Sequence, residues 1–181
     1  MTIEELEDFP WMAHKKLTKM RFLTAAGLLT ASACLAPFAL AADDPQFQRM
    51  ALCQDSWLDW RSDDARISAL VDYFEARLER NRQGDGATPR SPIQVLGYSV
   101  VQAYPQSVGM GVGFSLVINA DFAQALAAVE HQLGKPMMCS TSDGLRSCEL
   151  HLGNQRTAMV ITGERGNAKT SLVGCYYYYE K

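Results

Sequence analysis

Histidine is scarce in this chain. Only His131 and His151 lie beyond residue 41, so any imidazole chemistry must use one of them. No serine sits in a G-x-S-x-G turn, so a nucleophile elbow is absent. No apolar run reaches the ~20 residues of a membrane-spanning helix. Basic residues form no stripe or cluster of the kind that tracks a phosphate backbone, which excludes nucleic acid as a partner. Anionic membrane surfaces lose their usual polybasic ligand for the same reason. Nothing calls for a cofactor: Gly109-x-Gly111-x-Gly113 falls within a strand-like run, not at a strand-to-helix turn.

What is present begins with an export pattern. Lys15, Lys16, Lys19 and Arg21 form a basic start, and Phe22 to Leu35 an apolar core. Pro37 then breaks the run, and Ala39-Leu40-Ala41 supplies small residues for a cut before Ala42. The leader in front, Met1 to Trp11, is acidic, which predicts a true start at Met12 or Met20. A rival arrangement lipidates Cys34, but Ala31 replaces the usual leucine three places before it. Export to a periplasm or beyond the cell is the expectation, with residues 42–181 as one globular domain. This stretch keeps the formal charge of −3, because residues 1–41 hold four basic and four acidic side chains.

Periodicity divides that domain. Met50, Cys53, Trp57 and Trp60 define one face of a helix over Gln46–Arg61. Ser62-Asp63-Asp64 opens a second helix, lined by Ile67, Leu70, Val71, Phe74 and Leu78. Gln83 to Pro92 reads as a loop. Ile93–Tyr104 then reads as a strand, Pro105-Gln106 as a turn, and Ser107–Ile118 as a second strand. On that strand Phe114, Leu116 and Ile118 share a face with Val108, Met110 and Val112. The opposite face carries Gly109, Gly111 and Gly113, where either strong curvature or a flat ligand is expected. Asp121 and Gln124 make a capping box for a helix ending at Gly134. Strands near 136–142, 145–152, 155–163 and 169–179 follow. The fold class predicted is α+β: an antiparallel sheet of five to six strands, two N-terminal helices and one mid-chain helix.

The cysteines sharpen this outline. Asp143-Gly144 favours a two-residue type I′ hairpin, which sets Ser142 against Leu145 and Cys139 against Cys148. That cysteine pair falls on a non-hydrogen-bonded position, with Cα atoms about 4.5 Å apart, within disulfide reach. Cys53–Cys175 follows by elimination. A metal site from Cys148, His151, Cys139 and His131 is disfavoured, since residues three apart on a strand point to opposite faces.

Three functional expectations result. The first is a non-enzymatic exported binding protein: an inhibitor, an immunity-type factor or an envelope accessory protein. Its partner would be another envelope or secreted protein, met through Tyr177 and Tyr179 of the run Tyr176–Tyr179. The second is a small hydrolase using His151 and Glu149, with Arg156 brought opposite His151 by a Gly153-Asn154 turn. The third is a small-ligand carrier using the glycine face. His131, near a helix C-terminus, is assigned to the helix dipole.

Overall fold

The structure, a computed structural model, describes residues 42–55, 64–82, 86–108, 111–162 and 169–178. The export segment with Met12, Met20, Cys34 and Ala41 lies outside the described residues, as do Trp57, Trp60, Gly109, Met110 and Tyr179.

Three helices and a ten-stranded antiparallel sheet make up the described fold. Helix α1 spans Pro45–Ala51, α2 Asp64–Arg77 and α3 Phe122–Leu133. The strands are β1 Leu78–Arg80, β2 Ala87–Pro89, β3 Gln94–Val95, β4 Tyr98–Tyr104 and β5 Ser107–Val108. They continue as β6 Gly111–Ile118, β7 Met138–Ser142, β8 Leu145–Gly153, β9 Arg156–Thr162 and β10 Ser171–Tyr177. The order across the sheet is β1-β2-β4-β6-β10-β9-β8-β7, with β3 on β4 and β5 on β6. Among the described residues no helix is long and apolar enough to cross a membrane.

The sheet is larger than the five to six strands expected. Strands of two or three residues carry no readable alternation, and they account for the difference. Leu78, expected on the second helix, opens β1 instead, and β2 rises from the expected loop. The 93–104 run is split by a turn at Leu96 and Gly97, both at positive φ. A leucine is costly in that conformation. Here the turn is held from outside: Leu96 N–H donates to Gln48 Oε1 at 3.2 Å, and Gly97 N–H to Asp43 Oδ1 at 2.9 Å.

Pro105-Gln106 does not reverse the chain. The ladder keeps one register from Gln102↔Val117 through Ala103↔Leu116 and Tyr104↔Ser115 to Val108↔Gly111. The run 107–118 is therefore a hairpin end rather than one strand. Phe114, Leu116 and Ile118 are fully buried as their alternation requires, while Val112 is 44% exposed.

The capped helix forms where its signals lie. Asp121 accepts from Gln124 N–H, Gln124 Oε1 accepts from Asp121 N–H, and Gly134 is left-handed at φ 66°. Helix α1 is shorter than the span expected, and Asp44 caps it by accepting from Gln46 N–H and Phe47 N–H. It packs on β6 and β10, and α3 packs on β9 and β10. Phe47, Phe74 and Phe114 meet with ring centroids 5.1–6.1 Å apart, joining both N-terminal helices to the sheet. These residues belong to one core with Val129, Val160, Val173, Cys148 and Cys175.

Candidate binding surface on the outer face of the sheet

Strand alternation divides every sheet residue between that core and the opposite face. On the three strands next to β7 the outer positions follow from the register. Glu149 pairs with Met159 and Met138, His151 with Thr157, and Ser147 with Ile161. Met159 continues to Gly174, Ile161 to Leu172 and Thr157 to Tyr176 on β10. Directly paired residues share a face, so Met138, Glu149, His151, Met159, Ile161, Leu172 and Tyr176 lie together. Met159, Ile161, Leu172 and Tyr176 are half-buried, and His151 is exposed. Met138 is 67% exposed and Leu145, on the same face, 48%. The buried residues of all three helices join the core on the other side.

One part of the outer face is closed. The β5–β6 end bends back toward β10, so that Val108 is buried. A Cβ at Gly113 would collide with the Cys175 carbonyl oxygen and stand 2.7 Å from Val108 Cγ2. Ser115 Oγ donates to the Ser107 carbonyl at 2.7 Å. Gly113 therefore serves the sheet's own curvature and offers no flat ligand platform. Gly111 pairs with Val108 at the hairpin end.

Two predicted site residues face the other way. Tyr177 is 2% exposed and lies in the core with Cys175, so it presents no binding surface. Tyr176 and Tyr178, on the alternate positions, are the partly exposed ones. Arg156 does not oppose His151. The turn falls at Asn154 and Gln155, both at positive φ, and Arg156 pairs with Gly153. The shifted turn alone would keep Arg156 on the face of His151; a β-bulge between His151 and Gly153 adds one residue to the ladder and carries Arg156 to the other face. Arg156 Nη1 instead donates to the Cys53 carbonyl at 3.0 Å, beneath the sheet.

His151 Nδ1 and Thr157 Oγ1 are hydrogen-bonded at 2.8 Å. Glu149 shares the face but stands two residues along the strand, a Cα spacing of roughly 6.6 Å. Cys148 lies buried on the inner face, away from His151. Each described cysteine is disulfide-bonded, Cys53 to Cys175 and Cys139 to Cys148, which removes the thiolates a metal ion would need.

A second, smaller feature lies between α1 and α2. A shallow cleft of about 210 Å³ is lined by Gln46, Arg49, Asp55, Arg66, Leu70 and Tyr73. Arg49 Nε donates to Asp55 Oδ2 at 2.8 Å across its mouth. At its base Tyr73 O–H donates to the Asp44 carboxylate at 2.7 Å. Gln46, Arg49 and Asp55 are hydrogen-bonded to one another, and Tyr73 is bonded to Asp44.

Sequence reasoning missed Met138 and Leu145. The readable signal was the run Met138-Cys-Ser-Thr-Ser142, which carries neither a charge nor a proline. No protein-family model matches the chain, and no curated protein or solved structure matches it.

Proposed function

We propose that the protein is an exported, non-enzymatic binding protein that takes a protein partner on the outer face of its sheet. The observation that carries this reading is the outer face of β7–β10, where Met138 and Leu145 stand out from a half-exposed field of Met159, Ile161, Leu172 and Tyr176. Exposed apolar side chains with an aromatic member, interspersed with polar groups, are a usual composition of a protein interface. Glu149 and Ser147 on β8 stand between Met138 and the β9 residues Met159 and Ile161, and His151 lies further along the same strand. Two disulfides suit an oxidising compartment such as a periplasm or the extracellular space. An inhibitor, an immunity-type factor or an envelope accessory protein is the class of binding protein this reading covers. The hydrolase reading lacks a joined Glu149–His151 pair among the described residues, and the carrier reading lacks an open glycine face at Gly113.

The test is affinity capture from envelope and secreted fractions with the mature chain, compared with Ile161→Glu and Met159→Glu. Both substitutions place a charge on the outer face without touching the core. One specific protein should be retained by the wild type and weakened at least ~10-fold by each variant, about 1.4 kcal/mol or more. Equal retention by both variants rejects this face. A turnover abolished by His151→Ala in a folded protein rejects the non-enzymatic reading.

A further inference from the structure

We infer that β7 is a self-pairing edge: two copies of this chain join by antiparallel β7–β7 pairing about a two-fold axis at Ser140. The inference goes beyond the binding reading: it rests on the free backbone groups of the sheet's rim and shares only Met138 and Leu145 with the outer face.

Strand β7 ends the sheet, and all five of its residues are exposed. Sheet edges are normally blunted by charge, proline, shortness or a covering element. The opposite end follows that rule. Strand β1 has three residues, two of them Glu79 and Arg80. Strand β7 has five residues, MCSTS, without charge or proline. The Cys139–Cys148 bridge ties it to β8, so little order remains to be gained on pairing.

The phase of the ladder decides which groups are free. Cys139 and Cys148 stand 4.0 Å apart at Cα, the close spacing of a non-hydrogen-bonded pair. Thr141↔Arg146 is two residues along and therefore of the same kind. Cys139 and Thr141 thus turn their N–H and C=O groups away from β8, toward the open rim. They offer two donors and two acceptors. Place a second β7 antiparallel with Ser140 on the axis. Cys139 then exchanges both bonds with Thr141 of the second copy, and Thr141 with Cys139 of the second copy. Every free group finds a partner, and Ser140 faces Ser140 of the second copy in a close, non-hydrogen-bonded pair.

A second copy, rather than an unrelated strand, is favoured by the charges. Around a two-fold axis each strand meets its own sequence, so a charge at the axis faces its like. Strand β7 contains none. Just beyond its ends stand Lys135 and Asp143, both exposed. The register brings Asp143 of each copy diagonal to Lys135 of the other. On the outer face Met138 meets Ser142 of the second copy, with Leu145 of that copy beside it. The two large apolar side chains most exposed near this rim are drawn together.

A five-residue strand pair buries less than the ~1,200 Å² of a stable interface, so the dimer is weak and concentration-dependent. Sedimentation velocity on the mature chain, from ~1 µM to ~1 mM, should show a reversible monomer–dimer shift in that range. Thr141→Pro removes a rim N–H that β8 does not use, a position where an edge strand tolerates proline. It should abolish the shift while leaving the fold, read by circular dichroism, intact. Ser140→Cys should form a covalent dimer on mild oxidation, with peptide mapping placing the bridge at position 140. Ser147→Cys, one strand inward, should not. A chain that stays monomeric throughout overturns the inference. So does a dimer that survives Thr141→Pro, or one that Ile161→Glu alone dissociates, which would assign it to the outer face.

Discussion

Asp44 shows how much one side chain holds. It caps α1 through two backbone N–H groups, accepts from Tyr73 O–H, and lies 3.5 Å from Arg77 Nε. The Arg77 guanidinium in turn sits 3.6 Å over the Tyr73 ring. Burial and then the Asp44 hydrogen bond push the Tyr73 phenol up from 10.0 to about 12. Both favour the protonated form, so the folded-state value lies above the unfolded one. The resulting stability is complete below pH 10 and is lost as pH rises toward about 12. In urea unfolding, Tyr73→Phe should cost about 1 kcal/mol at pH 8. That difference should shrink as both proteins are taken above pH 10. A gap that widens there contradicts this account. None of it was legible in sequence, since Asp44 and Tyr73 are 29 residues apart. Tyr177 is different. Its alternation with Cys175 was legible, and a cysteine bonded to buried Cys53 marks the core face. That bond was itself predicted, so the burial of Tyr177 could have been deduced.

Elements with strong local chemistry were readable, and those decided by partners were not. The Asp121–Gln124 box and Gly134 bound α3, and Asp143-Gly144 sets the β7–β8 register that places Cys139 against Cys148. Leu96 and Gln155 are left-handed although neither residue type signals a turn, and each is held by a hydrogen bond from a distant segment, Leu96 N–H to Gln48 and Tyr178 N–H to the Gln155 carbonyl. The second of these turns, together with the β-bulge between His151 and Gly153, put Arg156 on the face opposite the one expected. It also predicts an improvement. Gln155 sits at φ 61°, where a Cβ is unfavourable, and its carbonyl accepts from Tyr178 N–H whatever the side chain. Gln155→Gly converts the turn to the favoured Asn-Gly pair. Relief of the left-handed strain outweighs glycine's extra unfolded-state entropy, a net gain of about 0.5 kcal/mol. A raised midpoint in urea with an unchanged slope is the expected result. A lowered midpoint would mean that the Gln155 side chain holds the turn.

At the scale of the molecule the last strand matters most. Strand β10 is paired on both sides, by β6 and β9, so the sheet is incomplete until β10 inserts. No local pattern in the sequence encodes that order. The one long-range sign was the Cys53–Cys175 pairing, obtained by elimination, which joins the end of α1 to the middle strand across a separation of 122 residues. The two bridges therefore do different work. Cys139–Cys148 closes a separation of only 9 within one hairpin. Chain-entropy reasoning gives about 2–3 kcal/mol for the short ring and about 5 for the long one. Removing the long bridge as Cys53→Ala with Cys175→Ala should cost about 2 kcal/mol more than Cys139→Ala with Cys148→Ala. The excess should be larger still because both Cys53 and Cys175 are buried in the core, so truncation leaves a cavity. Cys139 is exposed, and only Cys148 adds to that cost in the hairpin. Guanidinium unfolding of the two double variants measures the difference. Equal losses would mean that the central position of β10 is secured by its ladders and core contacts alone.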